Sequence, residues 1–325
     1  MPNILFASNS VSHFPGSLIG SPSWSWDDSR VPYSIHTLSL NPVSSPMFKG
    51  SETNETWVHF RMGANSWYVN NNENICEITD AEGNKLIGLS YHNRTSEGYH
   101  TYLTADGTQY SSVRYIPMRI SHVRTYDIRI LHNSLIARVE VYVNEILIDT
   151  IERNINDQMN VPRFLVLGGG YGNSGDMDSY YSEIIVADGD TRNARLDLIR
   201  PVATGVYGNW LGAVTTLADD DPTTGMTTVL PDQKQSTILS PYGGAQNISN
   251  IVQVTTSVRG INSPDQLDHF IRMSGVDYAF PERYDIPFEK TYQVSDWRLN
   301  PATSQPWEGS ELTNIEFGFE SKQSS

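Results

Sequence analysis

The chain has 325 residues and sets 37 Asp and Glu against 22 Lys and Arg, a formal net charge of −15 at pH 7 and a pI near 4.8. That balance excludes a nucleic-acid partner, whose phosphates demand a basic footprint, and suits a soluble protein that must resist aggregation. With 38% hydrophobic residues, mean hydropathy of −0.39 and no apolar run near the roughly 20 residues a bilayer-spanning helix needs, membrane insertion is not expected.

The N-terminus, MPNILFASNSVSHF, lacks the basic region and the long apolar core of a secretory signal. A single cysteine, Cys76, excludes an intramolecular disulfide, and synthesis in a reducing cytoplasm is the simplest expectation. At 21–29, SPSWSWDDS puts Trp24 and Trp26 on one side of an extended segment with Asp27 and Asp28 beside them. Indoles stack on sugar rings and carboxylates accept from sugar hydroxyls, so Trp24, Trp26 and Asp27 are the carbohydrate-binding candidates. The plainer alternative is that the tryptophans anchor the N-terminal segment to its own domain or to a neighbouring subunit.

Strands are predicted at Thr56–Arg61, Ile75–Asp80, Lys85–Ser90, Ser112–Met118, Tyr126–Leu131, Arg138–Val143, Ile146–Glu152, Phe164–Leu167 and Tyr180–Ala187, with turn residues between them. Val139, Val141 and Val143 alternate, the pattern breaks at Asn144–Glu145, and Ile146 and Ile148 resume it, which reads as a two-residue hairpin with Tyr126–Leu131 as a further partner. The acids here, Glu140, Glu145 and Asp149, lack the i, i+2, i+4 spacing that would place three carboxylates on one strand face for glycoside hydrolysis. They are expected on the solvated side of the sheet, and no catalytic residue is assigned. YGNSGDMD at 171–178 falls short of a nucleophile elbow at its fifth position, but Asn173, Asp176 and Asp178 offer calcium hard oxygen ligands, as Asp219–Asp221 does further on. Otherwise no cofactor is expected.

DGDTRNAR at 188–195 is polar and turn-rich, and the chain beyond it is richer in Pro, Thr and Asn. This places a boundary between a domain over 1–192 and a smaller β-sandwich over 198–325, with strands at Ser236–Leu239, Ile251–Val258, Phe270–Met273 and Ile315–Phe319. DQLDHFIRMSG at 265–275 is the best helix candidate, and it is short. The fold class expected is therefore all-β.

Over 50–192 the run TWVHFRM, ICEITDAEGNKLIGLSY, RTYDIRI, ARVEVYVNEILIDTIE, FLVLGGG and YYSEIIVADGDTR resembles a concanavalin A-like, laminin-G-like jelly roll. The tail VSDWRLNPATSQPWEGSELTNIEFGFES is similar to the ends of tailed-bacteriophage virion proteins, matching at Trp297, Asn300, Pro301, Thr303, Pro306 and Trp307. The resemblance implies a virion structural protein with a lectin-like domain, made in the host bacterial cytoplasm. Its implied partners are other virion proteins and host surface glycan, and the resemblance does not fix capsid, collar or tail. The compact domains, negative charge and aromatic-bearing loops point to a symmetric homo-oligomer on the outer surface of the particle, with tail attachment preferred over capsid. Loops bearing Trp24, Trp26, Trp297 and Trp307 are the expected docking elements.

Overall fold

In Thr56–Met62 and Tyr126–Ile130 apolar side chains recur at every second position, and an extended strand turns them all to one face. The computed structural model describes residues 2–20, 26–38, 41–64, 73–92, 98–115, 123–168, 178–221 and 223–324, and the chain divides into two units, Pro2–Asp197 and Leu198–Ser325. The first is built from β1 (Ile4–Ser8), β2 (Leu18–Gly20), β3 (Ser34–Thr37), β4 (Val43–Ser44), β5 (Glu55–Ala64), β6 (Glu73–Thr79), β7 (Lys85–His92), β8 (Gly98–Ala105), β9 (Thr108–Tyr115), β10 (Arg124–Leu131), β11 (Ile136–Val143), β12 (Ile146–Asn154), β13 (Phe164–Leu167) and β14 (Ser179–Ala187).

These strands form two antiparallel sheets. One runs β12-β11-β10-β5-β14-β3-β2, with β1 also on β14, and the other runs β4-β13-β6-β7-β8-β9. Val58, Phe60, Met62, Ile128, Ile130, Val139 and Val141 of the first sheet meet Ile75, Ile78, Ile87, Leu89, Leu103, Leu165 and Leu167 of the second in one core, so the fold is the expected all-β sandwich. Cys76 is buried in that core, which pushes its thiol well above the usual range. The β11–β12 hairpin turns on Asn144 and Glu145 at φ 48° and 69°, both left-handed as a type I′ turn requires.

The second unit contains β15 (Pro201–Gly208), β16 (Lys234–Leu239), β17 (Asn247–Ile248), β18 (Ile251–Ser257), β19 (Gln266–Met273), β20 (Val276–Asp285), β21 (Thr291–Trp297), β22 (Trp307–Glu308) and β23 (Ile315–Lys322). A five-stranded sheet, β15-β16-β23-β19-β20, is accompanied by the ribbons β18-β21 and β17-β22. The short helix candidate at 265–275 is β19, a strand paired on both sides that contains the strand expected at Phe270–Met273. Leu267, His269 and Ile271 alternate there and are buried, so the period is two rather than 3.6. His269 ties the layers together, with its two ring nitrogens 2.8 Å from Thr255 Oγ1 on β18 and from Ser295 Oγ on β21. Phe270 lies across β23 at Gly318, where any Cβ would overlap its ring.

Candidate binding site

The alternation that sends Val58, Phe60 and Met62 inward leaves Trp57, His59 and Arg61 on the outer face of the first sheet. Register brings Asp127 opposite His59, Thr125 opposite Arg61, and Arg129 opposite both Trp57 and Glu140. This face is not wet. His59 and Asp127 are both 0% exposed, with Nδ1 and Oδ1 2.8 Å apart, and the Thr191 hydroxyl donates to the same oxygen at 2.8 Å. Thr191 belongs to the segment after β14, which crosses over the sheet; its neighbour Arg192 sits 4.8 Å from the Tyr142 ring and 5.6 Å from the Trp57 ring.

Glu140 is 3% exposed and correspondingly engaged. It accepts from Tyr142 Oη at 2.8 Å and Arg129 Nη1 at 3.3 Å, and it also pairs with Arg138. Burial alone would push its carboxyl up, but the Tyr142 hydroxyl and the two guanidiniums outweigh burial and hold it below the usual carboxylate range. Asp149 is buried as well, and accepts from Ser112 Oγ at 2.9 Å and Arg114 Nε at 3.0 Å, clasping β12 of one sheet to β9 of the other. Glu140 and Asp149 are thus structural ion pairs rather than solvated carboxylates. Glu140 is covered on the outer face and Asp149 is set opposite Val141 toward the other sheet, whereas Glu145 is exposed as expected. Glu140 and Asp149 point to different partners, and Glu145 stands on the turn, so the three do not converge.

At one end of the outer face a cleft of about 360 Å³ opens between Arg61, Val123, Arg124, Thr125, Asn144, Glu145 and Arg195. Three arginines against one carboxylate make it basic within an acidic chain. Arg61 Nε is buried with no hydrogen-bond partner, and its Nη1 lies 3.7 Å from Glu183 Oε1. Glu183 is 1% exposed and sits at φ 53° in a bulge of β14, between Ser182 and Ile185, which turns its carboxylate toward Arg61. Asn144 Oδ1 accepts from Thr125 N at 3.1 Å, fixing the turn against β10. Exposed Arg195 donates from Nη1 to the neighbouring Ala194 carbonyl at 2.7 Å. Arg124 is buried and donates to Tyr99 Oη at 3.4 Å.

Of the carbohydrate-binding candidates, Trp24 lies outside the described residues. Trp26 is half-buried, and its indole nitrogen is buried without a hydrogen-bond partner. Asp27 Oδ1 accepts from Ser29 Oγ at 2.6 Å and Ser29 N at 3.1 Å. The Ser29 hydroxyl holds the Asp27 carboxyl below the usual range, and Arg30 and Arg61 lower it further, which puts Asp27 within electrostatic reach of the cleft. Arg30 in turn donates to Asp197 at 2.8 Å, two residues beyond Arg195.

Of the calcium candidates, Asn173 and Asp176 lie outside the described residues, and Asp178 faces His36 at 3.4 Å. In Asp219–Asp221 the carboxylates staple their own loop: Asp219 accepts from Thr224 Oγ1 at 2.9 Å, Asp221 from Thr223 Oγ1 at 2.6 Å, and Asp220 pairs with Arg200 at 2.6 Å. Among the described residues no group of three or more His, Cys, Asp or Glu could hold a metal ion. Of the tryptophans expected to dock, Trp24 lies outside the described residues, Trp26 is half-buried, and the two in the second unit are in its core. Trp297 and Trp307 are 5% and 1% exposed, and Trp307 Nε1 donates to the Trp297 carbonyl at 2.7 Å, so the motif closes the core of the second unit. Sequence reasoning missed Arg61, Arg124 and Arg195, although the alternation of TWVHFRM already set Arg61 on the outer face.

No protein-family model and no curated protein matches the chain. Among solved structures, the binding domain of botulinum neurotoxin DC in complex with rat synaptotagmin II is 11% identical over 85% of this chain and 68% of its own, with a TM-score of 0.40. The botulinum neurotoxin type G receptor binding domain is 10% identical over 53% of this chain and 43% of its own, with a TM-score of 0.35. A sialidase is 10% identical over 58% of this chain and 19% of its own, with a TM-score of 0.36. The chain thus spans less than half the length of the last two, and likenesses of this strength assign no function.

Proposed function

We propose that the protein is a non-catalytic binding module that recognises saccharide through the first sandwich. The observation that carries this reading is the polar, arginine-lined cleft, with Asp27 in electrostatic reach of Arg61 and Trp26 next to it in the chain. Donors and acceptors stand together there, as recognition of hydroxyl-rich ligands requires. Catalysis by a carboxylate pair finds no support: Glu140 and Asp127 are buried in fixed partnerships on the outer face, and Asp149 is bound toward the other sheet. A glycan array probed with the intact chain tests the proposal. Saturable binding, with quenching or a shift of tryptophan emission on titration, is the expected result. An array silent at millimolar saccharide would remove it.

A second reading, compatible with the first, is that this module belongs to a tailed-phage particle. What favours it is the tail motif: Asn300 is 1% exposed, accepts from Ala302 N at 2.8 Å and donates to Glu311 Oε1 at 2.7 Å, so the matched residues form one constructed loop. The protein would then be present in stoichiometric copies in purified particles, and its absence from them would end this reading.

A further inference from the structure

The cleft combines three features that point to one class of ligand. Arg61 and Arg195 come from different segments, β5 and the stretch after β14, and both line the same space. Arg61 carries a buried Nε without a hydrogen-bond partner, and its nearest carboxylate oxygen, Glu183 Oε1, is 3.7 Å away, beyond hydrogen-bond distance. A guanidinium presents a planar fork that matches a carboxylate bidentately, and on this 28% exposed side chain it is the Nη edge, not the buried Nε, that has donors to offer the cleft. The third feature is Glu145. It lines the cleft from a left-handed turn position that glycine fills with less strain. A carboxylate only accepts hydrogen bonds, so Glu145 receives sugar hydroxyls and repels any anionic group set beside it, which leaves the ligand's charge to the arginine side of the cleft.

We infer that the Arg61–Arg195–Glu145 cleft recognises a carboxylate-bearing sugar, of uronate or sialate type, within an acidic surface polysaccharide. The arginines take the carboxylate, and Glu145 and the Asn144 and Thr125 side chains take the hydroxyls. The inference rests on the saccharide-binding reading and names the ligand class for it. It also reconciles an acidic protein with an acidic polymer, because the local charge of the cleft is opposite to that of the whole chain.

The test uses the intact chain with polygalacturonate, alginate, hyaluronan and polysialate, each beside the same polymer after carboxyl reduction. Binding is expected to at least one acidic polymer and to be lost on its reduction. Arg195→Ala and Arg61→Gln should each weaken it roughly tenfold, the loss of one charge-assisted hydrogen bond. Arg195 is exposed and, among the described residues, hydrogen-bonded only to Ala194 of its own loop, so its variant should melt as the parent does; Arg283→Gln, in the second unit, should bind unchanged. Equal binding to the reduced polymers, or parental affinity in both cleft variants, would overturn the inference while leaving saccharide recognition intact. Inorganic phosphate competing as well as free galacturonate would also overturn it, in favour of an unselective anion site. If neither acidic nor reduced polymer binds, both the inference and the saccharide reading fall.

Discussion

Asp127 has the most demanding position of any residue in the outer face. It is fully buried, one of its oxygens serves both His59 Nδ1 and Thr191, and its other oxygen and His59 Nε2 have no hydrogen-bond partner. Removing it strands two polar groups beneath the crossing segment. Asp127→Ala should therefore destabilise the first unit by about 3 kcal/mol, read as a lower urea midpoint at unchanged slope. A midpoint shift of a few tenths of a molar or less would mean that the crossing segment lets water in. Glu145 presents the opposite case. Its φ of 69° is strained for an L residue, so Glu145→Gly should raise stability by about 1 kcal/mol, and a loss of stability would show that its contacts outweigh the strain. The alternation reads Glu140 and Asp149 as outward. Glu140 does face outward, and its burial comes from Asp188–Asp197 folding back. Asp149 does not, because the bulge at Val141–Tyr142 shifts the register and sets it opposite Val141, toward β9; neither event leaves a local signature.

At the scale of elements, the strands with clean alternation were legible, and β5, β10, β11 and β12 run close to where the pattern puts them. Short edge strands such as β2 and β4 were not, because two or three residues carry no period. β15 escaped notice for another reason: PVATGVYG is exposed on most of its length and shows no apolar face. Only the second half of β19, Phe270–Met273, is legible as a strand; its first half also fits a short helical turn, and pairing on both sides overrides that local preference. Each unit contains a fully buried histidine that joins strands. In the first, His132 on the chain after β10 lies 2.8 Å from Thr56 Oγ1 of β5, and in the second His269 joins β19 to β18 and β21. Burial lowers His132 to about 4 and His269 to about 3, from the usual 6.5. For a depressed pKa the neutral form is the folded one, so the stabilisation is complete above pH 6.5 and lost as pH falls toward the folded value. Stability should drop on the order of 3 kcal/mol per histidine between pH 6.5 and 4. Urea midpoints at pH 7, 5 and 4 check this, and a curve flat across that window would contradict it.

For the whole molecule, the change of texture near 188–197 was visible in sequence, whereas the cleft was not, since Arg61, Asn144 and Arg195 are brought together only by the fold. The units Pro2–Asp197 and Leu198–Ser325 each hold their own core, so limited proteolysis should yield two resistant fragments cut near residue 197. Progressive loss of the full chain without such fragments would argue for one cooperative body. A chain of net charge −15 that nonetheless concentrates arginine in one cleft should bind its ligand more weakly as salt rises. The central claim, recognition without turnover, is tested most directly by titrating the intact chain with its best array glycan in a calorimeter and assaying the recovered glycan for new reducing ends. The account predicts a saturable isotherm and glycan of unchanged length. Heat that continues after saturation together with accumulating reducing ends would contradict it.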